Sequence, residues 1–183
     1  KEELKANPGA TIIYDLRSSR VLPEEITKAG GIPVRERVGH SFIKQTMRKH
    51  NAVFGGEVSG HYYFRDHYFA DSGMVAFAKV LDLLGKRSAS LEEMAAPLRR
   101  LHATGEVNFH IEDKEEMMNR MEKLFHDGQK DRLDGITIAY PDWWFNLRPS
   151  NTEPLLRLNL EANTKEKLEI AWSQLCEHLG TPE

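Results

Sequence analysis

The chain has 183 residues, 40% hydrophobic and 29% charged, with a net charge of -3, which suits one large or two small globular domains. Charge spread without long runs of one sign excludes a broad nucleic-acid surface, so an anionic ligand would have to be captured locally. The single cysteine, Cys176, excludes an internal disulfide and reads as a small packing residue. No apolar run approaches the roughly 20 residues needed to span a bilayer, and neither a leader peptide nor a membrane partner is expected; a cytoplasmic location is.

The opening residues read as the end of a helix. After Asn7-Pro8-Gly9 the run from Ala10 to Tyr14, rich in β-branched residues, reads as a buried strand. Residues 21–29 are expected to form a helix closed by Gly30-Gly31, Ile32 to Arg37 a second strand, Ser41 to His50 a helix, and Ala52-Val53-Phe54 a third strand. This alternation predicts an α/β three-layer domain with a mainly parallel sheet, and such sheets place ligands beyond the carboxyl ends of their strands. Arg17, His40 and the segment Glu57 to His61 follow strands, so one rim should carry them. From Ser72 to Leu84 the apolar positions Val75, Ala76, Val80, Leu83 and Leu84 follow helical spacing, and Gly85 ends the element.

The pattern then breaks. Residues 1–87 are expected as the first domain, 88–104 as a linker holding a short helix from Leu91 interrupted by Pro97, and 105–183 as the second domain. Beyond the linker the order reads strand (Glu106 to Ile111), helix (Lys114 to Phe125), strand (Gly135 to Tyr140), strand (Trp143 to Leu147), loop, strand (Leu155 to Glu161) and helix (Lys165 to Leu179). Adjacent strands across Pro141-Asp142 read as a hairpin, giving a small α+β domain with a mostly antiparallel sheet carrying two helices. Neighbouring strand residues face opposite ways, so at most one of Trp143 and Trp144 could line a site, and both are read as packing.

Two polar segments stand out. In Arg148-Pro149-Ser150-Asn151-Thr152-Glu153-Pro154 an arginine able to bind two oxygens at once precedes three short polar side chains. This reads as an oxyanion loop with Arg148, Ser150, Asn151 and Thr152 as the grip, although Ser-Asn-Thr alone reads equally as an Asx/ST turn between strands. Arg157 is expected to support the loop or pair with Glu153. The other segment is Gly55-Gly56-Glu57-Val58-Ser59-Gly60-His61. Glu57 and Ser59, two apart, could project from an extended loop to one side and together meet a vicinal diol. Spacing alone leaves open a turn-capping Ser59 beside a solvated Glu57. His40 and His61 each follow a glycine, which lets the backbone approach a ligand, and an imidazole can act as acid or base near neutrality. The other six histidines read as structural, and no metal-type clustering is expected.

GGEVSGH and RPSNTEPLLR, preceded by ATIIYDLRSSR and VGHSFIK in that order, resemble the phosphomannomutase/phosphoglucomutase family of phosphohexomutases over almost the whole chain. The resemblance implies four-domain enzymes that interconvert hexose 6-phosphate and hexose 1-phosphate through a phosphoserine and a sugar 1,6-bisphosphate. It implies that Glu57 and Ser59 bind ring hydroxyls, that Arg148, Ser150, Asn151 and Thr152 bind phosphate, and that His61 and His40 are active-site residues, His61 foremost as general acid/base. Arg17 stands where many relatives have lysine and is assigned electrostatic stabilisation, with Asp15 as orienting partner.

The family's phosphoserine segment, of the form TASHN, and its magnesium loop, of the form DGDGDR, are not in this sequence. The chain is therefore expected to be the last two domains of a longer protein, the first of them N-terminally truncated, and inactive alone. Its partners would be a phosphosugar and the missing N-terminal domains, and Mg2+ would be held by ligands outside it. Val58 is apolar like the Met of mannose/glucose enzymes and unlike the Gln common in glucosamine enzymes, which favours mannose or glucose. A phosphoglucosamine mutase fragment and a non-catalytic phosphosugar-binding module are the alternatives.

Overall fold

The computed structural model describes every residue except Asn151 and Thr152. The chain forms two compact units, Lys1–Arg99 and Arg100–Glu183. Of the stretch 88–104, the first unit takes a helix at Leu91–Ala95, which Ser90 starts with a reciprocal capping box to Glu93, and the first residues of a long strand begin at His102.

In the N-terminal unit the elements are α1 (Glu2–Ala6), β1 (Thr11–Asp15), α2 (Val21–Lys28), β2 (Ile32–Glu36), α3 (His40–His50), β3 (Phe54–Gly56), β4 (Tyr62–Phe64), β5 (Ala70–Asp71), α4 (Gly73–Gly85) and α5 (Leu91–Ala95). The sheet order is β2-β1-β3-β4-β5. β1 pairs in parallel with β2 and β3, while β4 and β5 add short antiparallel strands. Consecutive residues of β1 face opposite ways, and this creates the layers. Ile12 packs with Leu4 of α1, Ile26 of α2 and Val53, whereas Ile13 packs with Ile43 and Met47 of α3. α4 buries no residue and leaves Met74, Phe77 and Leu81 exposed.

The third strand differs from the sequence reading. It starts at Phe54 and runs through Gly55 and Gly56, because a flat glycine pair lets α3 approach: a Cβ on Gly55 would stand 2.9 Å from Met47 Sδ and 3.2 Å from Ile43.

The C-terminal unit contains β6 (His102–His110), α6 (Lys114–Leu124), β7 (Gln129–Asp131), β8 (Ile136–Ala139), β9 (Trp143–Pro149), β10 (Leu155–Ala162) and α7 (Lys165–Leu179). Its sheet, in the order β6-β10-β9-β8-β7, is antiparallel throughout. One face is apolar: Trp143, Phe145 and Leu147 of β9 and Leu156, Leu158 and Leu160 of β10 join Met118 and Met121 of α6 and Ala171 and Leu175 of α7. The other face carries Trp144, Asn146, Arg148, Asn159 and Glu161, all buried. Trp144 Nε1 donates to Glu161 at 2.8 Å and the Asn146 amide to Thr137 Oγ1 and the Ile136 carbonyl at 3.1 and 3.2 Å, while Asn159 Nδ2 is buried without a hydrogen-bond partner among the described residues. Both tryptophans are thus packing residues, on opposite faces. Among the described residues no helix is long and apolar enough to cross a membrane.

Gly135 turns the chain into β8 with φ +67°, and a Cβ there would lie 2.0 Å from the Leu147 carbonyl oxygen. Gly135→Ala therefore meets both left-handed strain and a backbone collision. It should destabilise the C-terminal unit by about 2–4 kcal/mol, measured as a lowered urea midpoint.

Candidate functional site

Register fixes where the first group of polar residues falls. Asp15 of β1 pairs with Glu36 of β2, and Tyr14 with Gly56 of β3, so three parallel strands end together and the loops after them share one rim. Asp15, fully buried, joins two of those loops. Its carboxylate accepts from the Arg17 amide at 2.9 Å, from the Arg17 guanidinium at 2.7 Å and from the Val58 amide at 2.9 Å. Arg17 reaches 3.5 Å from Ser59 Oγ, and its side chain is only 7% exposed. Asp15 thus orients Arg17, and it also ties β1 to the segment after β3.

That segment is a tight hairpin turn and not an extended loop. The Gly60 amide bonds to the Glu57 carbonyl at 3.0 Å and the Glu57 amide to the His61 carbonyl at 2.9 Å, and Gly60 takes φ +86° as such a turn requires. In consequence Glu57 and Ser59 do not project side by side: Glu57 is buried and Ser59 exposed. The Glu57 carboxylate accepts a short hydrogen bond from the Tyr63 hydroxyl and one of 3.2 Å from the Gly39 amide at the start of α3. Burial first, and the hydrogen bond to the Glu57 carboxylate second, push the Tyr63 phenol far above its ordinary 10.0.

His40 opens α3, with its ring centroid 4.2 Å from that of His61 and 5.8 Å from that of Tyr63. His61 Nδ1 lies 2.8 Å from Asp71 Oδ2, and Asp71 Oδ1 accepts from the Tyr62 amide at 2.9 Å. Partial burial pulls the Asp71 carboxyl upward, but the bonds from His61 and Tyr62 outweigh it, leaving the group below its ordinary 3.8. Sequence reasoning missed Tyr63 and Asp71 because β4 and β5 are too short to show a period.

His40, His61 and Asp71 place three metal-type ligand atoms within 4.8 Å of one another. That set is nitrogen-rich, whereas Mg2+ takes hard oxygen ligands in an octahedron, so these residues do not fit the magnesium ion that the family implies.

In the C-terminal unit the second group sits at the β9–β10 connection. Arg148 and Arg157 stand directly opposite one another in the ladder, a like-charge pairing that costs stability unless answered. Glu106 of neighbouring β6 answers it, with one carboxylate oxygen 3.3 Å from Arg148 and the other 3.4 Å from Arg157. Arg157 therefore pairs with Glu106, where the sequence suggested support of the loop or a pair with Glu153. Ser150 is buried, and its amide donates to the Leu155 carbonyl at 2.8 Å. Lys114, at the start of α6, ties the connection down through the Ser150 and Glu153 carbonyls at 2.8 and 3.0 Å. Asn151 and Thr152 lie outside the described residues. Glu106 and Lys114 carried no local signal, since each is identified only by cross-strand or helix-to-loop contact.

Each unit matches a model of one domain. Residues 1–101 match phosphoglucomutase/phosphomannomutase, alpha/beta/alpha domain III, and residues 106–171 match the phosphoglucomutase/phosphomannomutase C-terminal domain. The chain belongs to the phosphoglucomutase/phosphomannomutase family. A phosphomannomutase of Methanocaldococcus jannaschii is 44% identical over 173 residues, covering 92% of this chain and 38% of the relative. One from Escherichia coli K12 is also 44% identical, over 162 residues, with 87% of this chain and 36% of the relative covered. The crystal structure of a phosphoglucomutase/phosphomannomutase family protein from Burkholderia thailandensis superposes with a TM-score of 0.84 at 30% identity, over 97% of this chain and 39% of that one. The chain spans less than two-fifths of the length of these relatives.

Asp15→Asn removes the charge that faces the Arg17 guanidinium and is expected to cost about 3 kcal/mol, read from urea denaturation of the N-terminal unit. Tyr63 gives a pH dependence of opposite origin. Its folded pKa is raised, so its contribution is complete below the ordinary tyrosine value of about 10 and is lost as pH rises beyond it. Stability should fall more steeply between pH 9 and 11 in the wild-type chain than in Tyr63→Phe.

Proposed function

We propose that this chain is the C-terminal part of a phosphomannomutase-type isomerase that interconverts hexose 6-phosphate and hexose 1-phosphate, with mannose or glucose as the sugar. The observation that carries the reading is the rim after β1, β2 and β3, where the exposed Ser59 hydroxyl lies 3.5 Å from the Arg17 guanidinium and the His40 and His61 rings meet, while the buried Glu57 carboxylate braces the turn against the start of α3. The Ser59 hydroxyl suits a ring hydroxyl, the guanidinium suits a phosphoryl oxygen, and an imidazole suits the proton that a reacting hydroxyl must lose. Support for the phosphate end comes from the C-terminal unit, where Arg148 and Ser150 flank a connection anchored by Lys114. Glu106 is then an internal anion beside Arg148, and a phosphate entering there competes with it.

In this reading a phosphoserine outside the chain gives its phosphoryl group to the substrate, a sugar 1,6-bisphosphate forms, and the other phosphate returns to the serine. The N-terminal domains of the same protein supply that serine and the oxygen ligands for Mg2+, so the 183 residues alone bind substrate weakly and turn nothing over.

Calorimetric titration of the chain with mannose 1-phosphate, glucose 1-phosphate, glucosamine 1-phosphate and inorganic phosphate tests the reading. The expected result is tighter binding of the mannose and glucose esters than of inorganic phosphate, weakened about tenfold or more, roughly 1.4 kcal/mol, in Arg148→Ala. Preference for glucosamine 1-phosphate would move the assignment to that substrate. Equal binding of sugar phosphates and inorganic phosphate would overturn it.

A further inference from the structure

His61 is held at one nitrogen only. Its Nδ1 lies 2.8 Å from Asp71 Oδ2, while among the described residues Nε2 has no hydrogen-bond partner and the side chain is 39% exposed. Asp71 is itself fixed, because it ends β5 and its other oxygen accepts from the Tyr62 amide at 2.9 Å. An ionised carboxylate accepts and cannot donate, so the proton on the shared edge must sit on Nδ1 of the imidazole. In the neutral imidazole the free edge is then the unprotonated Nε2.

We propose that Asp71 is a positioning residue that fixes His61 as the Nδ1–H tautomer and so dedicates Nε2 to proton exchange with the sugar hydroxyl. The inference rests on the mutase reading above. As the hydroxyl oxygen bonds to the phosphorus of the donor phosphoserine, the P–O bond to serine breaks with its electron pair left on the serine oxygen, and the sugar O–H proton passes to Nε2. The imidazolium that forms keeps its Nδ1–H on Asp71, whose negative charge offsets it. In the return direction Nε2–H gives the proton back to the sugar oxygen as that oxygen leaves phosphorus. His40, with its ring edge-on at 4.2 Å, lines the same face and restricts how His61 can swing. The depressed Asp71 carboxyl agrees with an acceptor that stays ionised at neutral pH. An arrangement in which one side chain sets the tautomer of a catalytic histidine needs only this single bond.

Asparagine makes the test specific. In Asp71→Asn the amide oxygen can keep the Tyr62 amide, which turns the NH2 group toward His61 Nδ1 and forces the ring proton onto Nε2. Imidazole nitrogen shifts of the 15N-labelled chain should show the Nδ1–H form in the wild type and the Nε2–H form in the variant. An Nε2–H wild type overturns the proposal with no variant needed, and so does an unchanged tautomer in a variant whose amide spectrum matches the wild type. In the full-length enzyme Asp71→Asn should lower kcat about 100-fold with KM little changed. A tautomer that inverts while turnover is untouched would instead remove His61 from proton transfer, and with it the mutase role given to that residue.

Discussion

A buried negative charge at the end of β1 holds the N-terminal site together. Asp15 has lost its water, and the lost solvation is replaced by two backbone amides and a guanidinium. Because one amide belongs to Arg17 and the other to Val58, the same carboxylate sets the turn after β1 and the turn after β3. Glu57 repeats the device one strand along, joining the hairpin turn to the start of α3 through Gly39 and to β4 through Tyr63. Three connections that would otherwise move separately are thereby cross-linked through side chains, on a rim whose height is set by strand register.

The C-terminal unit solves a different problem with the same chemistry. Two guanidiniums face each other across β9 and β10, and Glu106 lies against both. The Arg148 side chain is 10% exposed and those of Glu106 and Arg157 28% each, so water still screens part of the pairing. One carboxylate shared by two guanidiniums offsets part of their mutual repulsion.

Much of this was legible in the residues. β1, α3, α7 and the alternation that separates an α/β unit from an α+β unit follow from period and β-branching, because Ile12-Ile13 and the Leu155–Leu160 run have nowhere to go but opposite or common cores. What escaped was short or non-local. β4, β5 and β7 have two or three residues each, too few for an alternation of period two to stand out. β3 shifted into its glycines because α3 needs the space over Gly55. Asp71, Tyr63, Glu106 and Lys114 act through partners that only folding reveals, whereas Arg17, His40, His61 and Arg148 announced themselves by glycine or turn neighbours.

The position of β10 has a kinetic consequence. It lies second in the sheet, between β6 and β9, yet the β6 residues it meets are roughly fifty residues earlier in the chain, a loop whose closure has to be met before any cross-strand contact can repay it. β8 and β9 can pair as a local hairpin while the apolar side of β6 waits uncovered. During synthesis the C-terminal unit therefore stays open until β10 and α7 have left the ribosome, and in that interval the exposed edges of β6 and β9 are its points of vulnerability to pairing with other chains.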